Sequence, residues 1–174
     1  MIVKRIEIER FGTLDHIVID DLDRGVEVLH GTNETGKTTL LEFVRGVFFG
    51  FSKLVRRGYL DAKVISGGSL IVACPPNDHI FRLHRINDPT TQSHLRNDSV
   101  EDHSFGERLF VEDADGRLVD ASLVADFMGN VDEKTFSSVM AFGLDELHEL
   151  SSLDAEGSGQ RLYELAGGLD RTSL

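Results

Sequence analysis

Gly31-Thr32-Asn33-Glu34-Thr35-Gly36-Lys37-Thr38-Thr39 is the stretch on which the reading of this sequence turns. It fits a glycine, four free positions and then Gly-Lys-Ser/Thr, the pattern of a phosphate-binding P-loop. Just before it, Val26–His30 alternates and predicts a strand; just after it, Thr38–Phe51 is apolar-rich and free of proline and predicts a helix. The chemistry needs that order of strand, loop and helix. Backbone N–H groups of the loop and the positive end of the helix hold polyphosphate, and Gly31 and Gly36 let the backbone approach with no Cβ in the way. Lys37 is placed to reach the β- and γ-phosphates and Thr38 to offer its hydroxyl to Mg²⁺. Asn33, Glu34, Thr35 and Thr39 complete the candidate nucleotide-binding set. The alternative is an ordinary Gly-rich turn capping a helix.

The 174 residues suffice for one domain with a core, or one lobe of something larger, and leave no room for two. Apolar residues at 40% and charged ones at 28% describe a globular chain, and no run reaches the roughly 20 apolar residues of a membrane span. Met1-Ile2-Val3-Lys4 leads straight into an alternating pattern, which argues against a cleaved signal. Cys74 stands alone, so no internal disulfide can form and a cytoplasmic setting is expected. The net charge of −12, from 30 acidic and 18 basic residues, means that any DNA contact must come from a local patch or a partner. Lys53, Arg56 and Arg57 form the one dense basic cluster, which reads equally as a solvated loop.

Taken in order, Ile2–Phe11 alternates isoleucines with charges and predicts a strand with one face on a core. Gly12-Thr13 turns the chain, His16–Ile19 is a second strand, Asp20–Arg24 a turn and Val26–His30 a third strand. Along the helix, Leu40, Leu41, Phe43, Val44, Val47, Phe48 and Phe51 cover a broad arc that should lie on a sheet. The pattern dissolves over residues 52–68, where Gly67-Gly68 reads as part of a mobile loop. A hairpin follows, Ser69–Cys74 and Ile80–Arg85 around Pro75-Pro76-Asn77-Asp78, and a second one lies within Leu109–Val119 around Asp113-Ala114-Asp115-Gly116. Between them Asn87–Glu107 is polar and aperiodic and predicts an exposed or partly disordered loop. Antiparallel hairpins after the helix depart from the βαβ order of a kinase or small GTPase. Short helices are predicted over Ser122–Met128, Glu133–Ser138, Leu144–Leu150 and Gly159–Ala166.

A P-loop ATPase also needs an apolar strand ending in acids, to hold Mg²⁺ and orient water. Asp145 and Glu146, after Val139-Met140-Ala141-Phe142-Gly143-Leu144, are the candidates, although they serve equally as first-turn helix charges. Gly157-Ser158-Gly159-Gln160 is similar to the signature loop of ABC-type ATPases but lacks its preceding Leu-Ser and double glycine, and N-capping is the other reading. A P-loop without its acidic strand or signature implies half of an active site.

The opening Ile6-Glu7-Ile8-Glu9-Arg10-Phe11-Gly12, the loop through Phe43, Val47-Phe48-Phe49-Gly50-Phe51, Gly67-Gly68-Ser69-Leu70 and Ala141–Leu147 together resemble the N-terminal ATPase segment of the YhaN-type proteins. These stand with SbcC, RecF and the SMC proteins among the double-strand-break-repair ATPases, and the resemblance spans roughly residues 1–170. It implies an ABC-type head built from the two ends of a long polypeptide, this chain being the N-terminal lobe of 1–174. Within it, 1–51 would be the P-loop core, 68–120 an antiparallel hairpin region and 121–174 a helical part. The C-terminal lobe, beyond a coiled coil, would bring the signature and the acidic strand. ATP and Mg²⁺ are then the cofactors, and a second head sandwiching two ATP molecules is a partner. An SbcD-like nuclease and DNA would join the full complex, with DNA binding weak for this chain alone and no membrane involved. Relatives place a Gln near Gly143-Leu144-Asp145, where Asp145 or Glu146 either substitutes or is merely structural. They also often carry a basic residue in the loop after the first strand, where this chain has Gly12-Thr13-Leu14, with Arg10 nearby.

The reading is therefore an α/β P-loop lobe that binds Mg-ATP and, in the complete head, hydrolyses it to control DNA-end binding or a partner nuclease. Two others stay open: a self-contained P-loop kinase or NTPase using Asp145 or Glu146, and a nucleotide-gated interaction module that does not hydrolyse.

Overall fold

The computed structural model describes residues 1–51, 54, 59–61, 64–90 and 106–141. Two compact units divide at Glu133, and the first holds the sheet. Its strands are β1 (Ile2–Phe11), β2 (Leu14–Ile19), β3 (Ser66–Cys74), β4 (His79–Asn87), β5 (Glu107–Asp113) and β6 (Leu118–Val119), in the order β2-β1-β3-β4-β5-β6. Every neighbouring pair is antiparallel. Helix α1 (Lys37–Phe49) packs on β3 and β4, as its apolar arc requires, and α2 (Leu123–Phe127) follows the last hairpin and ends before Gly129. The result is a mixed α/β unit.

Side-chain alternation explains the core. Ile6, Leu70, Leu83 and Val111 stand opposite one another across β1, β3, β4 and β5, and all four are buried. Between Ile8 and Arg10 the register slips, so that β1 carries one extra residue at Glu9. Such a bulge reverses the phase of the strand beyond it, which brings Phe11 to the same side as Ile6 and Ile8. There Phe11 meets Phe43 edge-on at 5.3 Å and Phe51 at 5.3 Å, sealing α1 onto the sheet. The opposite face is polar: Ser69 Oγ lies 2.9 Å from His84 Nδ1 and accepts from Arg82 Nε at 3.1 Å.

Three sequence expectations need correction. Val26–His30 forms no strand; Val26 is 91% exposed, Val28 80% and Leu29 51%. A strand exists only through its neighbours, and no described strand lies beside this segment. Gly67 and Gly68 are not loop residues but buried positions of β3. A Cβ on Gly68 would come within 2.2 Å of the Glu7 carbonyl and 2.9 Å of Phe43 Cζ, so the glycine marks close approach and not mobility. Asn87 and Glu107, placed in a polar loop, instead close β4 and open β5 as a cross-strand pair. The interior of that loop, residues 91–105, lies outside the described residues, as do Lys53, Arg56 and Arg57.

The second unit is described from Lys134 to Ala141: the end of α3 (Glu133–Thr135) and a π-helical turn, Phe136–Met140. The expected helix to Ser138 is therefore wound in two forms, with Ala141 N–H donating to the Phe136 carbonyl at 2.9 Å.

Candidate nucleotide site

The loop of residues 31–36 enters α1 through Gly36, whose φ of 96° is left-handed and natural only to glycine. Leu40 N–H then donates to the Gly36 carbonyl at 2.8 Å, the first bond of the helix. The earlier N–H groups of α1 are the orphan donors from which anion sites are built. At Gly31 an added Cβ would sit 2.6 Å from Thr35 Oγ1, and at Gly36 it would meet Leu14 of the β1–β2 turn at 2.7 Å. Gly36 is thus demanded by its left-handed backbone, and the Thr35 and Leu14 side chains lie close to the two glycines.

Lys37 lies across the loop and donates from Nζ to the carbonyls of Gly31 at 2.7 Å and Thr32 at 2.6 Å. An ammonium has three protons, so two hold the loop closed and one remains for a phosphate oxygen. Thr35 Oγ1 donates to the Thr32 carbonyl at 2.8 Å and ties the loop a second time. Glu34 takes φ 68°, a left-handed value uncommon outside glycine. Asn33, Glu34, Thr35 and Thr38 are exposed, Thr39 half-buried. These residues fit a bound polyphosphate: the cradle has no side chain in the way, the helix end is positive and an ammonium stands over it. Asp145, Glu146 and Gly157–Gln160 lie outside the described residues.

Residues 1–70 match the AAA domain family. The matched stretch holds β1, β2, the loop and α1, the pieces that build this site. The chain is also similar to the uncharacterized protein YhaN of Bacillus subtilis (strain 168), 20% identical over 157 residues. That alignment covers 90% of this chain and 14% of YhaN, so the chain spans about one seventh of the relative's length. Both comparisons support an ATPase-like family, in which ATP and Mg²⁺ are used in general.

At the far end of α1 is a group that motif reading passes over. Arg85 of β4 donates from Nε to the Val47 carbonyl at 2.8 Å and from its terminal nitrogen to the Phe48 carbonyl at 3.4 Å, and it pairs with Glu107 of β5. Burial pushes the Arg85 guanidinium below its ordinary value, and Glu107 offsets part of that. The signal was available in the alternation. Phe81, Leu83, Arg85 and Asn87 share one parity, so a cation and an amide sit on the core side of β4.

Proposed function

We propose that this chain is the ATP-binding half of a divided ATPase head of the SMC/SbcC type. One observation carries the reading: a P-loop motif is folded at the start of an amphipathic helix, with Lys37 bridging the loop and a proton to spare. The AAA match over residues 1–70 and the similarity to one seventh of a much longer protein support it. In this reading Gly31–Thr39 hold the phosphates of Mg-ATP and Thr38 faces the metal. Val26–His30 is the strand that the rest of the longer polypeptide pairs, together with an acidic strand and a signature loop. Hydrolysis then belongs to the assembled head, and its coupling to DNA ends or a nuclease partner is the role of the whole protein.

The self-contained kinase reading calls for a parallel strand and a crossover helix after α1. Residues 66–87 form an antiparallel hairpin there instead, which disfavours it. The test is turnover. Purified chain should hydrolyse Mg-ATP at background rate, and adding the C-terminal lobe of the same polypeptide should raise the rate by orders of magnitude, with Lys37→Ala abolishing the gain. Turnover by the chain alone at about 1 s⁻¹ or faster, an ordinary enzyme rate, contradicts the half-site reading.

A further inference from the structure

We infer that Arg85 is a positioning residue for the nucleotide site, holding the P-loop helix by its tail and coupling phosphate binding to strands β4 and β5. The inference rests on the phosphate reading of Gly31–Thr39 and adds a second, distant group to it.

Helix α1 is 13 residues long, about 20 Å from end to end, with Lys37 at one end and the Arg85 contacts at the other. The last carbonyls of a helix have no partner within it and carry its negative partial charge. Here the Gly46 carbonyl is taken by Gly50 N–H, and the Val47 and Phe48 carbonyls by Arg85. No basic residue lies in the last turn of α1 itself, so the cation comes from the sheet. Glu107 fixes that cation and sits tightly over the helix end, where a Cβ on Gly50 would come within 3.1 Å of its Oε1. At the other end the Leu14 side chain lies close enough to Gly36 that an added Cβ would meet it at 2.7 Å. The tail of the helix is thus held by β4 and β5, while at its head Leu14 of β2 lies close to Gly36. A helix held by its tail transmits a shift at its phosphate end to the Arg85 contacts.

A further buried polar side chain stands across the strands from Glu107. Asn87, two residues along β4 and opposite Glu107, is 1% exposed, and neither polar atom of its side chain has a partner. A buried amide left unpaired is costly, so this end of β4 holds unused hydrogen-bonding capacity.

Coupling of this kind is reciprocal and can be read from either site. In the wild-type chain, Mg-ATP titration should shift the Arg85 Nε–H resonance, and Lys37→Ala should remove that shift. Arg85→Lys keeps the charge but loses the two-carbonyl reach, and should weaken Mg-ATP binding by about fivefold or more. Glu107→Gln, which leaves Arg85 its carbonyl bonds, should weaken it less. Affinities are compared at a temperature where each variant is shown by circular dichroism to be folded. A purely structural anchor predicts lowered melting temperatures, unchanged dissociation constants and no Arg85 shift at saturating Mg-ATP, and that result overturns the inference alone. A wild-type chain that does not bind Mg-ATP overturns the phosphate reading and the inference with it.

Discussion

Asn87 shows how much a single side chain can say. Its carboxamide is buried without a partner, at a cost of about 1–3 kcal/mol for such a group. Asn87→Leu, close in volume and apolar, should therefore hold or raise the midpoint of urea unfolding; a clear loss of stability means that the amide has a partner after all. Gly68 argues in the other direction. With the Glu7 carbonyl 2.2 Å from where its Cβ would lie, Gly68→Ala must push β1 and β3 apart. Equilibrium unfolding should show a loss of about 1–3 kcal/mol or more, and an unchanged midpoint would refute the close approach. Neither residue was read correctly from the sequence, although the alternation of β4 carries a signal for Asn87. Gly67-Gly68 reads as a loop because glycine in a strand and glycine in a turn look alike, and only the distance to β1 separates them. Asn87 was hidden by the polar run that follows it. The start of α1 was legible, because its constraint is local: a left-handed Gly36 and a helix start are written in adjacent positions.

Among the elements, the hairpin of β3 and β4 was visible from Pro75-Pro76-Asn77-Asp78 between two alternating runs, and that of β5 and β6 from Asp113–Gly116. In both, the turn chemistry and the pairing lie within a few residues. The segment Val26–His30 has the composition of a strand, yet it stands exposed, with no described strand beside it to pair with. This makes a clear prediction. Val28→Lys should change the stability of the chain by less than about 0.5 kcal/mol, as for other surface changes, because no packing is lost. The same substitution in the complete head should impair assembly, since there it would place an ammonium inside a sheet. A large loss in the isolated chain, read by thermal melting, would mean that Val28 is already packed.

For the molecule as a whole, charge and completeness set the limits. A net charge of −12 opposes the DNA backbone, and the one dense basic cluster holds three residues. A duplex titration should show weak binding whose logarithmic salt slope does not exceed about 3 in magnitude. Tight binding at physiological salt would require a basic surface that the sequence does not suggest. No helix among the described residues is long and apolar enough to cross a membrane. The central claim is that the folded loop of residues 31–39 holds Mg-ATP, and the melting temperature of the chain tests it most directly. At about a hundred times its dissociation constant the nucleotide should stabilise the native state by roughly 2.7 kcal/mol, a rise on the order of 5 to 10 °C for a chain of this size. Lys37→Ala should lose most of that rise while melting at nearly the wild-type temperature without nucleotide. The absence of any rise in the wild-type chain, or an equal rise in both proteins, would contradict the account.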